Sequence, residues 1–510
     1  MKIFHRKYHR LSNLLRNTGS SIHEDVRSRS FRVNSNRFCN LDESFYIEDA
    51  SVILGKLRLR NPPTTNSSIS IIKMLSNSDT MKEITSANRV GVEAVYGVGE
   101  IAPLPGLSKE NIDEAYEEAL SVSKQLIGTH FKLADMIEPS FMSSLSSITS
   151  PVPPQKYLPP SVVSGYEQAL MVAVSRIQNV SLGSLFVSLV ASTLPNPTQP
   201  IRSTTVLEDN NNNDNEDSSQ LSFSSLSSVE IPRTINVNGL VVSQGLECDS
   251  VQEVIERIEE GYTCLKVKVG RRGSPKEDGK ILSSICKELG RIEQNMGSTQ
   301  GGKEALKKIT LRADANRAWS FEEALQFESS LSSEAKVRLE YIEEPCVSPE
   351  DTLRFSAHTG LGVGLDESID EGWLEQNTSK EYIKSCESDN NDDHKIHGSP
   401  KIKALILKPT ILGGHKNDGG VLESARTIST ARNKFGPPYL SSPVLSSSFE
   451  TPYTLLYFAQ IAGGMAALEK IGISVSFKNS PAHGIGTSNW YASDQNQADS
   501  DSRKIGTFAE

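Results

Sequence analysis

From Thr234 onward the chain alternates short apolar runs with amphipathic stretches. The runs are Ile235–Val242, Thr263–Val269, Ile309–Ala313, Val337–Ile342, Gly362–Leu365 and Ala404–Leu407. Short apolar strands separated by stretches of helical length predict βα units and a parallel sheet. At least six strands over about 240 residues fit a (β/α) barrel better than a small open sheet. Upstream, Ser51–Leu59 (SVILGKLRL) predicts a strand, with a turn-rich Asn61–Asn66 after it. Asn111–Ile127 carries Ile112, Ala115, Ala119 and Val122 at helical spacing, and Tyr166–Val180 predicts a second helix reached through Pro159-Pro160-Ser161.

Three polar tracts interrupt this pattern: Leu207–Glu230 with its four consecutive asparagines, Arg271–Lys303, and Thr378–Pro400 with Asn390-Asn391-Asp392-Asp393. Such compositions bury too little apolar surface to offset chain ordering, so each is expected to be a surface insertion. No repeat of 20–50 residues is visible.

Composition narrows the class. The 510 residues leave room for two or three domains. Apolar residues make up 37%, and the 35 glycines bring the sum just short of a typical globular domain, so some segments are polar and unpacked. No run approaches the roughly 20 apolar residues of a membrane span. Cys39, Cys248, Cys264, Cys286, Cys346 and Cys386 show neither CxxC nor paired spacing, which argues against a disulfide framework or a zinc ribbon. The net charge of −10 offers no footprint for nucleic acid. Charge is uneven, however. Residues 1–40 hold nine Lys/Arg against Glu24 and Asp25, while the remainder is acidic. An Arg- and Ser-rich, acid-poor start is expected to be a transit peptide, or else a solvated basic tail.

Polar residues at strand ends carry the chemistry, because barrel active sites sit at the carboxyl ends of the strands. Lys266 and Lys268 in CLKVK point to one face of a strand, and two adjacent ammoniums should lower each other's pKa. On an edge strand they would simply face solvent. Asp314, Glu343 and Asp366 end the next three runs, and Lys408 ends a fourth. Three carboxylates converging from successive strands suit Mg²⁺, although each acid taken alone reads as a helix N-cap or a loop charge before it reads as a ligand.

The order KxK, DxN, EEP, DES, KP resembles the enolase superfamily in its muconate-lactonizing-type subgroup. Tyr96–Gly106 (YGVGEIAPLPG), Leu158–Leu170 (LPPSVVSGYEQAL), Leu311–Ser320 (LRADANRAWS), Ser446–Glu450 (SSSFE) and His483–Trp490 (HGIGTSNW) are similar to segments of the o-succinylbenzoate synthase family within it. That resemblance covers about residues 46–495 between the inserts.

The resemblance implies an α/β fold: an α+β capping domain plus a modified (β/α)8 TIM-like barrel. Residues 1–45 would be the transit peptide or tail, 46–230 the cap with its insert 207–230, 231–480 the barrel with inserts near 271–303 and 378–400, and 481–510 a tail returning to the cap. Asn61–Asn66 and Gly97–Gly99 would be loops closing over a small-molecule substrate. Asp314, Glu343 and Asp366 would bind Mg²⁺, with Mn²⁺ as a substitute. Lys268 would be the base, Lys266 its modulator and Lys408 the cation on the opposite face. Arg312, Asn316 and Glu367 would contact the substrate or the ligands. Ser446, Ser447 and Ser448 would hold a carboxylate through free backbone N–H groups. The implied activity is a lyase dehydration yielding o-succinylbenzoate for phylloquinone or menaquinone synthesis, in a plastid, beside other enzymes of that pathway. N-acylamino-acid racemisation or dipeptide epimerisation would use the same lysines, and an inactive barrel serving as an interaction module is the remote alternative. His483, Cys264 and Cys346 are expected to be packing residues, and Gly413-Gly414 a simple turn.

Overall fold

The computed structural model describes residues 44–46, 51–56, 68–73, 97–127, 130–132, 135–136, 158–193, 230–232, 234–242, 247–270, 274–299, 309–376, 399–412, 419–435, 440–470 and 481–487. The basic start, the Asn61–Asn66 turn, Gly413-Gly414 and nearly all of Leu207–Glu230 and Thr378–Pro400 lie outside these residues. No single helix among the described residues is long and apolar enough to cross a membrane.

The N-terminal part is α+β. Strand β1 (Ser44–Tyr46) pairs antiparallel with β5 (His130–Lys132), and β2 (Ser51–Lys56), β3 (Ser68–Lys73) and β4 (Val98–Ile101) form a separate antiparallel sheet in that order. Helix α1 (Ile112–Leu126) begins at Asn111 because a capping box satisfies its first N–H groups. The Asn111 side chain accepts from Asp113 and Glu114, and the Glu114 carboxylate accepts the Asn111 N–H. Ala115, Ala119, Val122 and Leu126 form its buried stripe. Helix α2 (Pro160–Gln178) starts ahead of the expected Tyr166, since Pro160 at the first helical position has no N–H to leave unpaired. Helix α3 (Leu182–Thr193) follows.

Gly97–Gly99 does not close over a substrate. It leads into β4 and lies flat against α2, so close that an added Cβ would sit 1.8 Å from the Ala169 carbonyl oxygen at Gly97 and 1.7 Å from that of Gly165 at Gly99. The two glycines serve backbone contact, not loop motion.

Seven parallel strands form the second part, adjacent in chain order. They run β6 (Gly239–Val241), β7 (Cys264–Lys268), β8 (Thr310–Asp314), β9 (Leu339–Glu343), β10 (Gly362–Leu365), β11 (Lys401–Leu407) and β12 (Leu440–Leu445). The helices between and after them are α4 (Glu247–Glu259), α5 (Pro275–Thr299), α6 (Phe321–Ser329), α7 (Ser333–Arg338), α8 (Pro349–Thr359), α9 (Glu367–Asp370), α10 (Trp373–Gln376), α11 (Gly420–Lys434) and α12 (Pro452–Lys470). Val337 belongs to α7 and is exposed, so the fourth apolar run starts its strand only at Leu339.

Two expectations are corrected here. Arg271–Lys303 is not an insertion, because α5 fills most of it and buries Ile281, Leu282, Ile285, Cys286 and Leu289. Its lysines and glutamates cover the outer face and mask the apolar stripe. Nor does the described part of the C-terminal tail leave the barrel. The His483 N–H donates to Asn236 O at 2.8 Å and the Gly484 N–H to Leu445 O at 2.7 Å, so 483–484 bridges the lead-in to β6 and the end of β12. The curled sheet is joined into a ring through this segment.

Candidate active site

Parallel register places the chemistry. Lys268 pairs with Asp314 and Asp314 with Glu343, so three consecutive strands end at the same height. Asp366 follows β10 directly and Lys408 follows β11. Lys266 and Lys268 therefore stand at one end of a row of three carboxylates and Lys408 at the other. All three acids are buried.

The charges interlock. The Lys266 ammonium donates to Glu343 Oε1 at 2.6 Å and lies 2.8 Å from Asp314 Oδ2. Lys268 pairs with Asp314 and donates to Asn316 Oδ1 at 2.9 Å, while Lys408 pairs with Asp366. Burial resists the charge on Lys266, but the pull of Asp314, Glu343 and Asp366 outweighs it and holds its pKa well above the ordinary lysine value. The expectation that the paired lysines depress each other fails at Lys266: carboxylates, not ammoniums, are its nearest charges. Asp314 is held low for the reciprocal reason, with Lys266 and Lys268 overcoming burial. Burial first and Asp314 second push Glu343 well up.

The donor set fits a hard divalent cation. Glu343 Oε2 and Asp366 Oδ1 are buried with no hydrogen-bond partner, as are Glu367 Oε2 and Asp370 Oδ1 close by. Buried carboxylate oxygens without partners are costly, and oxygen donors from neighbouring strands are what Mg²⁺ or Mn²⁺ takes. Among the described residues no three acid, His or Cys groups close around a point, and Asp314, Glu343 and Asp366 are each paired with a lysine.

The other expected residues divide. Asn316 is in the site and bridges it, accepting from Lys268 and donating from Nδ2 to Glu367 Oε1 at 3.1 Å. Arg312 is not available to a substrate. Its Nε donates to Glu340 and its Nη1 to the Ala482 carbonyl at 2.6 Å, and its guanidinium lies over the Tyr341 ring, one layer below the carboxylates. The backbone N–H groups of the serine loop are not free either. Ser446 donates to Leu407 O, Ser447 to Gly484 O and Ser448 to Glu450 Oε2. Ser448 Oγ, buried without a partner, is the polar atom that loop leaves over. His483 accepts the Leu445 N–H through Nδ1, and burial, with Arg312 adding to it, pushes its pKa down to about 3, so it is a neutral wall residue. Cys264 and Cys346 are buried free thiols. Sequence reasoning missed Asp370, one helical turn after Asp366, whose i+4 spacing was the available signal.

Residues 249–375 match the family described as Enolase C-terminal domain-like. The chain is 28% identical over 267 residues to Protein PHYLLO, chloroplastic, of Arabidopsis thaliana, a match covering 52% of this chain and 13% of that protein. It is 27% identical over 213 residues to the o-succinylbenzoate synthase of Vibrio cholerae, covering 42% of this chain and 51% of the relative. The matches thus span about half of the Vibrio protein and a small part of PHYLLO. A dipeptide epimerase from Enterococcus faecalis shares the fold with a TM-score of 0.53 at 14% identity, over 88% of this chain and 93% of the other. Its matched barrel segment and its ordered strand-end lysines and carboxylates make the chain similar to the enolase superfamily, and its fold is of the enolase type.

Proposed function

We propose that the chain is a metal-dependent lyase of the o-succinylbenzoate synthase type, dehydrating 2-succinyl-6-hydroxy-2,4-cyclohexadiene-1-carboxylate to o-succinylbenzoate. The observation that carries this reading is the row itself, with lysines at both ends of three buried carboxylates. The Vibrio and Arabidopsis relatives support the choice of reaction.

Asp314, Glu343 and Asp366 would hold Mg²⁺. The ion supplies Lewis-acid stabilisation of the charge that develops on the substrate carboxylate. Lys268, as the neutral amine, removes the proton from the ring carbon bearing that carboxylate and becomes the ammonium, and Asn316 holds its Nζ in place. The ring hydroxyl leaves on the same face and takes up that proton, so one water departs and the ring becomes aromatic. Lys408, across the row, stays charged and compensates the developing negative charge; burial opposes that charge, but Asp366 first and Asp370 next hold its pKa high. The product would feed phylloquinone or menaquinone synthesis. The chloroplastic relative and the basic, Ser-rich start favour a plastid, beside other enzymes of that pathway.

Lysines at both ends also suit racemisation of N-acylamino acids or dipeptide epimerisation, where one lysine deprotonates and the other reprotonates. Purified protein incubated with the cyclohexadiene substrate, and separately with N-acylamino acids and dipeptides, decides between them. Mg²⁺-dependent appearance of o-succinylbenzoate is expected; epimerisation without dehydration would replace the lyase reading.

A further inference from the structure

Glu344 is fully buried beside Glu343, and its backbone and side chain together touch the ends of three strands. Its carbonyl accepts the Arg317 N–H at 2.7 Å, and its own N–H donates to Gly364 O at 3.0 Å. Oε1 accepts the N–H groups of Asp366 at 2.8 Å and Ser368 at 2.9 Å. Oε2 accepts the Ser368 hydroxyl at 2.9 Å and faces Arg317 Nε at 3.4 Å. The Arg317 fork closes the ring, donating from Nη2 to Ser368 Oγ and from Nη1 to both Glu371 oxygens.

The backbone around this knot is held where side chains rarely go. Asn316 (φ 47°), Arg317 (φ 60°) and Glu344 (φ 39°) all lie in the left-handed region, which costs energy and persists only when surrounding contacts enforce it. The three tethered points lie next to the carboxylates: Arg317 three residues after Asp314, Glu344 directly after Glu343, and the backbone N–H of Asp366 itself.

We propose that Glu344 is the positioning residue that sets the spacing of Asp314, Glu343 and Asp366 for their cation. This rests on the reading of those three acids as ligands, and not on which reaction the site performs. A neutral amide at Glu344 keeps the volume but cannot accept four donors, so the end of β10 is released while the ligands remain.

The test is Mn²⁺ binding by the full chain, followed through the electron paramagnetic resonance signal of the free ion. Groups that orient metal ligands typically contribute about 10–100-fold in affinity. Glu344→Gln should weaken Mn²⁺ at least about tenfold, and Ser368→Ala, which removes one donor to Glu344 and one acceptor from Arg317, by a smaller factor, with far-ultraviolet circular dichroism unchanged in both. Wild-type affinity in folded Glu344→Gln overturns the proposal. If Glu344→Gln does not fold, Ser368→Ala decides, and an unchanged dissociation constant there overturns it. A wild-type chain that binds no Mn²⁺ also overturns it, whereas one that binds Mn²⁺ yet forms no o-succinylbenzoate refutes only the proposed reaction.

Discussion

Glu167, on α2, accepts the backbone N–H of Val421 at 2.6 Å, across 254 positions of sequence. It accepts from Leu422 as well, at 3.2 Å, so a carboxylate from the N-terminal part caps the first turn of barrel helix α11. Gly420 is required at this junction: its φ is +85°, and an added Cβ would lie 2.5 Å from Glu167 Oε1. Glu100 on β4 does the same for α12, accepting the Thr451 N–H at 3.1 Å and the Thr454 hydroxyl. The GxGE and GxExAL segments thus fasten the first part of the chain to the barrel.

Both clamps titrate. Burial pushes Glu167 up to about 8 and Glu100 up to about 7, from an ordinary 4.5, against the pull of their N–H and hydroxyl donors. An acid whose folded pKa lies above its unfolded value stabilises the fold when protonated. That contribution is complete below about pH 4.5 and is lost as pH rises through 7 to 8. At about 1.4 kcal/mol per unit of pKa separation, the effect of each clamp is on the order of a few kcal/mol. Glu167→Gln, neutral at every pH, should flatten the fall of Tm between mildly acidic and mildly alkaline buffer. A variant with the wild-type pH slope would show that Glu167 does not titrate with folding.

The contact of β4 with α2 gives a second expectation. A methyl at Gly99 meets the α2 backbone at Gly165 and Ala169, and backbone cannot swing aside as a flexible side chain can. Overpacking of this kind costs about 1–3 kcal/mol or more. Gly99→Ala should lower Tm by several degrees, while the same change at Gly106 meets no atom and is opposed only by its positive φ. Equal Tm for wild type and Gly99→Ala would mean that the strand rides off the helix freely.

The barrel and its strand-end row were legible because buried parallel strands read as continuous apolar runs whose last polar residue faces the site. Helix α5 was not. Its outer face supplies enough Lys, Glu, Ser and Gly to resemble a low-complexity tract, and only the spacing of Ile281, Ile285 and Leu289 betrays it. Gly97 and Gly99 look like loop residues because nothing local reports the helix some 70 positions later that they must admit. Arg312 and the serine loop misled for a related reason: a side chain's chemistry can be read from sequence, but not whether a distant carbonyl, such as Ala482 O, already holds it.

The reassignment of α5 can be tested directly. Ile285 is fully buried on the inner face of α5. Truncating a packed isoleucine typically costs about 2–5 kcal/mol, whereas the same change in a surface insertion stays within about 0.5 kcal/mol. Ile285→Ala should shift the urea midpoint clearly downward. A midpoint indistinguishable from wild type would return the segment to the status of an insertion.

The two ends of the carboxylate row should respond differently to the same substitution. In the proposed reaction Lys268 gives and takes a proton, a service worth roughly 10²–10⁴-fold in rate. Lys268→Ala should lose at least that much turnover, and Lys268→Arg should fare no better, since a guanidinium does not release its proton near neutral pH. Lys408 is paired with Asp366 and held charged, and in the proposed reaction it would act by its field, so Lys408→Arg should retain turnover that Lys408→Ala loses. Lys266 bridges Asp314 and Glu343; Lys266→Ala removes a cation that competes for those acids, so the Mg²⁺ concentration needed for half-maximal turnover should fall. Exchange of solvent deuterium into the ring carbon bearing the carboxylate separates proton transfer from the later loss of water. If Lys268→Ala exchanges that position, or dehydrates the substrate, at the wild-type rate, the base lies elsewhere in the row.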